Sequence, residues 1–545
     1  MARAISELMG SPDSIFHWVP GEIVLVVRLK RKPVEEVYAT LIEQMRVMLN
    51  TVLAPSGLIL EPYGTAGRWS ETPGLPAIYR SAFVFGLHQP QPCMALFFHV
   101  QHADTTITLD PVPLALTTLH AHLEQLAQQG LALLSLMPNW LVAAAPVLYN
   151  EGGPGQPPRP APALDLPGSE DVPLGWRFSF VDPIVPLHPT GTEDVVVAVL
   201  DTAYHADSVR SAATHPALRH NWLLQRLAND LRDENGLFEI EYDRYPILND
   251  VRTGRDHAGD PRYYFMPDHG LFISGIIRDI APRARIRLVR ILNDFGCCDL
   301  YNLFSALTDL EQELVSGTLR RLVINLSLTV MPDLRCLPTI WLDKPTWPSG
   351  QLSGVTHLLA QLEEGLRLLC ESLYAHGALL VAAAGNDSTI PSKEGKRPRP
   401  PRSPACYSTT MSVSAVNSQY QPAPYANAAC LTPLESGVAT SGGDGSEQIE
   451  PGKLPDAVRG VYITPTFPTG EPNTSGWADW SGTSFATPII SALGAHMLAQ
   501  GWSVPNILTH LTAGHERSNV PIFGSAPELP TLLANVIRAE QHFGS

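Results

Sequence analysis

SGTSFATP, residues 481–488, runs directly into IISALGAHMLAQ, residues 489–500. The small and apolar residues of this stretch predict a buried helix starting near Ser484 and running to about Ala499. Gly482 and Thr483 permit a tight approach before the first turn, and Pro488 fits early in a helix, where no intrahelical donor is lost. A helix N-terminus leaves backbone N–H groups without intrahelical acceptors and carries the positive end of the dipole. A serine hydroxyl at that point becomes a nucleophile only with a base in hydrogen-bond reach and a group that orients the base. Taken alone, Gly-Thr-Ser reads more readily as a plain helix cap.

Three further stretches bear on that choice. DVVVAVLD, residues 194–201, is β-branched and apolar and predicts a buried parallel strand with Asp201 at its C-terminal end. Ligand-facing groups gather at the carboxyl ends of such strands, although an Asp there also fits a turn or a cap. His269 stands in DHGLFISGII, residues 268–277, whose small residues Gly270, Ser274 and Gly275 suit a helix packed closely on a sheet. His205 and His257 carry no such setting and read as surface or core histidines. ALLVAAAGN, residues 378–386, predicts a strand ending at Gly385-Asn386. An Asn amide at a strand end can donate to an oxyanion, or can simply belong to a Gly-Asn turn. RLVINLSLTV, residues 321–330, predicts another strand of this type.

In the order AVLDTA, DHGLFISGI, LVAAAGN and SGTSFATP, the chain resembles the subtilisin-like serine proteases over roughly residues 190–515. The resemblance implies an α/β fold with a mostly parallel central sheet flanked by helices. It also implies Ser484 as nucleophile, His269 as general base and acid, Asp201 as its orienting acid, and Asn386 with the Ser484 N–H as oxyanion donors. Sedolisin-type relatives use a Glu in place of the His, and the His269-Gly270 pair argues against that branch. Ser327-Leu328-Thr329 and Ala383-Ala384-Gly385 resemble the two strands that flank the primary specificity pocket, where an extended peptide adds as a strand. Thr329 stands where the family usually has Gly, Leu271-Phe272 follow the His-Gly pair, and Ala203 follows the Asp-Thr pair. These departures remove no catalytic group and bear on substrate preference. Asp387, beside the expected pocket rim, reads as a solvated turn carboxylate. The chemistry requires no metal or cofactor. Many relatives hold structural calcium, but no calcium loop of fixed spacing is visible, so calcium is left without ligands.

Residues 1–150 predict strands at 22–30, 81–88 and 94–103, helices at 34–53 and 114–130, and a final strand region after 130. This β-α-β-β-α-β pattern is that of a small ferredoxin-like α+β domain. Family members are commonly preceded by a propeptide of this kind, which assists folding and blocks the site; a regulatory or partner-binding domain fits nearly as well. GLALLSLMPNWLVAAAPVLY, residues 130–149, is broken by Pro138 and Asn139 and reads as a buried strand pair rather than a membrane span. Residues 151–189, Pro/Gly-rich at their start, read as a linker, with the peptidase domain at 190–545. Within that domain a helix is expected over 353–376, a basic Pro-rich loop at 393–404 and a Gly/Pro-rich surface segment at 442–476.

Net charge of −16, from 37 basic and 53 acidic residues, speaks against a nucleic-acid binder. Seven scattered cysteines read as thiols of a reducing compartment. The N-terminus lacks the basic-then-apolar pattern of a signal peptide, so a cytoplasmic protein without membrane attachment is expected. The functional expectation is a serine endopeptidase acting on protein or peptide substrates, restrained by its N-terminal domain and open to control by a regulatory partner protein. The alternative is a silent or partner-activated protease-fold scaffold.

Overall fold

The computed structural model describes residues 18–34, 37–62, 82–86, 92–144, 156–163, 176–179, 195–231, 236–247, 265–330, 362–386, 388, 399–417, 421–429, 437–444, 456–512, 517–518, 531–532 and 535–538. Contacts divide the chain into two compact units. One comprises Met1–Val142, Asp299–Val315 and Val330–His376; the other comprises Ala143–Cys298, Ser316–Thr329 and Gly377–Ser545.

The first unit opens with β1 (Trp18–Arg28), α1 (Tyr38–Leu53), β2 (Leu58–Pro62), β3 (Ala82–Phe85) and β4 (Cys93–His102). It continues with α2 (Val112–Ala121), α3 (Leu123–Gln128) and β5 (Ala132–Ala143). The strands are antiparallel: β1 lies between β5 and β4, and β2 and β3 both pair with the other edge of β4. This is the split order expected, with β2 added; LILEP is too short and mixed to announce itself. The helix expected over 114–130 is two helices, because His122 leaves the helical conformation and closes the first on Leu119.

The described part of 130–149, residues 130–144, does not form a strand pair. One continuous strand, β5, carries both Pro138 and Asn139. Pro138 sits opposite Ile23, next to an irregularity in the β1–β5 register, a place where a missing N–H is tolerated.

The helices Leu300–Val315 and Glu364–Ala375 belong to this same unit, although both lie beyond residue 190. Trp140 Nε1 donates to the Leu362 carbonyl at 2.7 Å, and the Phe97 and Tyr301 rings meet edge to face at 5.1 Å. A Cβ on Gly365 would strike Met137 and Val26, so only glycine allows this approach. Buried between these elements, the Glu311 carboxylate accepts from the Gly86 N–H at 2.9 Å and from the Ser372 hydroxyl, with His376 Nδ1 3.7 Å away.

The second unit is built on a seven-stranded sheet. Its strands are β6 (Val195–Asp201), β7 (Phe238–Glu241), β8 (Arg285–Arg290), β9 (Arg321–Leu326), β10 (Ala378–Ala383), β11 (Thr410–Val416) and β12 (Gly437–Ser441). The order is β12-β11-β10-β9-β6-β8-β7, and every pairing is parallel. Strands buried on both faces need continuous apolar runs, which is why VVVAVLD and ALLVAA are buried end to end. Two buried helices, α4 (His269–Ile280) and α5 (Thr483–Ala499), pack on each other and on this sheet.

Three antiparallel strands, Gln156–Pro160, Trp477–Ser481 and Val458–Val461, form a separate sheet. The first lies inside the stretch expected to be a linker. The last corrects the surface reading of 442–476: Val461 and Tyr462 are buried, and the Phe272 ring lies where a Cβ on Gly460 would stand, leaving room there for glycine alone. The Pro-rich 331–350, the first part of the helix expected over 353–376, Asp387 and residues 393–398 of the basic loop at 393–404 lie outside the described residues.

Candidate active site

All of the residues singled out from the sequence fall in the second unit. Asp201 ends β6, and its carbonyl accepts the N–H groups of Ile291 and Leu292, which follow β8. His269 is the first residue of α4. Its Nδ1 lies 2.8 Å from Asp201 Oδ1, which also accepts the Thr202 N–H at 2.7 Å. Both side chains are fully buried. Asp201 Oδ2 and His269 Nε2 have no hydrogen-bond partner among the described residues. Asp201 therefore faces the histidine rather than capping the next helix, whose N-cap is His205.

Thr202 and Gly270 fix this pair from below. The Thr202 hydroxyl donates to the Pro267 carbonyl at 3.0 Å and accepts the Gly270 N–H at 3.0 Å. A Cβ on Gly270 would strike the Thr202 carbonyl oxygen, so the close approach of α4 to the β6 loop requires glycine. Trp480 and Phe485 pack against the imidazole, with ring centroids 5.5 and 5.3 Å away.

Ser484 is the second residue of α5, and Gly482 is the N-cap without any side-chain cap bond. The Ser484 Oγ does not cap the helix. It donates to the Ser327 carbonyl at 3.3 Å, and the Ser327 Oγ donates back to the Ser484 carbonyl at 2.8 Å. Asn325 Nδ2 donates to Ser327 Oγ at 3.0 Å, and Ser491 Oγ donates to Asn325 Oδ1 at 2.9 Å. The nucleophile candidate is thus tied through buried polar groups to the end of β9. No hydrogen bond joins Ser484 to His269 among the described residues.

Asn386 does more than turn the chain. Its Oδ1 accepts the Thr483 N–H at 3.1 Å and the Thr483 hydroxyl at 2.9 Å, which sets the orientation of the amide at the start of α5. Gly385, at φ +112°, has its Cβ space filled by Asn427 and Arg402. Ala384 donates its N–H to Val413 and accepts from the Arg402 N–H, and Gly385 accepts from the Asn427 N–H. The main chain at 384–385 is therefore already engaged, so Ala383-Ala384-Gly385 can line a pocket but cannot pair with a peptide at those atoms. Ser327 and Leu328 are buried between β9 and the short strand that begins at Thr329.

The sequence reading passed over Asp268, Tyr204 and Thr464. Asp268 lies fully buried beside His269 and accepts from the Tyr204 hydroxyl at 3.0 Å, from the Ile463 N–H at 2.5 Å and from the Thr464 hydroxyl. The one local signal was an acidic residue directly before a helical histidine.

Among the described residues no group of three or more His, Cys, Asp or Glu side chains is placed to hold a metal ion, and no helix is long and apolar enough to cross a membrane. A fully parallel α/β sheet, a buried Asp–His pair at its carboxyl ends and a serine at a helix N-terminus define the architecture of a serine-type peptidase domain. A family model described as the subtilase family matches residues 192–513. The chain belongs to the subtilase family. No curated protein matched the chain.

Proposed function

We propose that the chain is a serine endopeptidase that hydrolyses protein substrates through an acyl-enzyme on Ser484. The observation that carries this is the state of His269: Nδ1 is held by Asp201 while Nε2 is unpaired, buried and backed by aromatic rings. A neutral imidazole held in that tautomer offers Nε2 as the base. Rotation of the Ser484 hydroxyl away from the Ser327 carbonyl passes its proton to Nε2 as Oγ attacks a peptide carbonyl. The Asn386 amide and the Ser484 N–H then hold the oxyanion, each such donor typically contributing about 10²–10³ in turnover. His269 next protonates the leaving amine, and water releases the acyl group by the reverse proton path. A peptide would pair along Ser327-Leu328-Thr329, with Ala383-Ala384-Gly385 as a wall. Catalysis as written uses no metal.

The N-terminal region restrains this site in our reading. Asp201, His269 and Ser484 are 0% exposed. A partner protein that displaces the N-terminal region would act as an activator. Cys93, Cys297, Cys298, Cys370 and Cys406 are thiols, which suits the cytoplasmic location we infer.

A silent scaffold is favoured by one observation, the Ser484 hydroxyl bonded to Ser327 rather than to His269. Labelling of the full chain with a fluorophosphonate decides between them. The peptidase reading expects an adduct on Ser484 that is absent from Ser484→Ala and from His269→Ala; a folded wild-type chain that labels neither intact nor after a cut between residues 151 and 155 is a scaffold. A cleavage site inserted between residues 151 and 155 tests the restraint: labelling accelerates after the cut, and an unchanged rate removes that part of the reading.

A further inference from the structure

Asp268 has no part in the acyl-transfer steps above, yet its carboxyl group is fully buried one residue before His269. Oδ1 accepts the N–H groups of Ile463 at 2.5 Å and Thr464 at 3.3 Å. Oδ2 lies 3.0 Å from the Tyr204 hydroxyl and in hydrogen-bond contact with the Thr464 hydroxyl, and these two hydroxyl oxygens are themselves 2.7 Å apart. Three oxygens therefore stand in mutual hydrogen-bond contact.

An ionised carboxylate contributes no hydrogen to that triangle, so two hydroxyls supply two hydrogens for three contacts, and one contact sets lone pair against lone pair. A protonated carboxyl supplies the third, and each oxygen then donates once and accepts once. Burial pushes the Asp268 carboxyl up from the usual range, against the pull of its four donors. Burial likewise raises the Tyr204 phenol, which stays an O–H. The titratable groups set against Asp268 are Tyr204 from the loop after β6 and Tyr462 beside Ile463, with His269 the next residue on its own helix.

The triangle also closes a ladder between two segments. Asp201 meets His269, Thr202 meets Pro267 and Gly270, and Tyr204 meets Asp268. We propose that Asp268 is a positioning residue for His269 and that it acts as a neutral carboxylic acid, closing a ring of hydroxyls with Tyr204 and Thr464. This rests on the peptidase reading for its consequence on rate, but not for the protonation state.

The test uses the full chain with Asp268→Asn, Asp268→Ala and Tyr204→Phe. The rate and saturation of fluorophosphonate labelling are measured between about pH 5 and pH 9. Asn keeps an acceptor for Ile463 and supplies a hydrogen to the ring, so it is expected to label within about threefold of wild type. Asp268→Ala is expected to lose about tenfold or more in the limiting rate at unchanged half-saturation. Tyr204→Phe is expected to fall in the same direction, and the double variant to be no worse than Asp268→Ala alone. An Asn variant as slow as the Ala variant shows that the ionised form is the working one and overturns the proposal; an Ala variant equal to wild type removes the positioning role. Should Asp268→Ala not fold, Tyr204→Phe against Asp268→Asn carries the same comparison. A wild-type chain that labels nowhere ends the peptidase reading instead, and thermal melting then decides the protonation state by itself. A carboxyl raised by folding contributes stability that is complete below its unfolded value, about pH 4, and is lost as pH rises through its folded value. Wild type should show that loss relative to Asp268→Asn, and parallel pH profiles for the two overturn the neutral-acid claim.

Discussion

Ser484 and Ser327 are bonded reciprocally: each side-chain oxygen donates to the other residue's carbonyl, at 3.3 Å from Ser484 and 2.8 Å from Ser327. The nucleophile candidate is thereby seated by β9, the strand whose continuation was read as a pocket wall. Ser327 Oγ also accepts from Asn325, so Ser327→Ala leaves the buried Asn325 amide short of one acceptor. Such a loss costs about 1–3 kcal/mol. We expect urea unfolding to show that destabilisation and fluorophosphonate labelling to slow. A variant as stable as wild type removes Ser327 from this seating role.

Asn386 and Thr483 form the second joint of the site. Asn386→Ala removes a donor from the proposed oxyanion position and should lower kcat on a casein substrate by about 10²–10³. Thr483→Val removes only the hydroxyl that orients the amide, so a smaller loss, about tenfold, is expected with little change in KM. Equal losses in the two variants contradict this division of roles.

Gly270→Ala tests the seating of α4. The added methyl would meet the Thr202 carbonyl oxygen, a backbone atom that cannot swing aside. Overpacking of this kind costs about 1–3 kcal/mol, occasionally more. The thermal midpoint should fall clearly, and labelling should fall with it because the Asp201–His269 contact depends on this approach. An unchanged midpoint means that the loop yields.

Glu311 governs a pH dependence in the first unit. Burial raises its carboxyl above the usual range, partly offset by its bonds to Ser372 and Gly86 and by Lys32; His376 and the Cys93 thiol, itself raised to about 11, lie in the same setting. Folding then favours the protonated form. The associated stability is complete below about pH 4.5, the unfolded value, and is lost as pH rises through the folded value. Glu311→Gln fixes the neutral form, so its urea midpoint should decline less than wild type over that rise. Parallel profiles for the two proteins contradict the assignment.

The parts legible in the sequence were those written locally. VVVAVLD announces a strand buried on both faces and ends on Asp201; ALLVAA does the same ahead of Asn386; the small-residue run after Ser484 announces a buried helix. What stayed hidden depends on contacts between distant segments. Tyr204 and Thr464 are 260 residues apart, and neither has a local pattern that points to Asp268. Gly460 lies in a segment read as Gly/Pro-rich surface because its reason, the Phe272 ring where a Cβ would stand, lies on another element. Trp140 gave no sign of its partner at Leu362 for the same reason.

The residues of the candidate site, Asp201, His269, Ser327, Asn386 and Ser484, follow one another in that chain order within the second unit. A ribosome adds roughly 5–20 residues each second, so the serine emerges on the order of tens of seconds after the aspartate. On the proposed reading the nucleophile is thus the last of these groups to be made, and a growing or prematurely released chain that stops short of α5 would lack it. The order of the segments along the polypeptide would then keep an incomplete chain harmless.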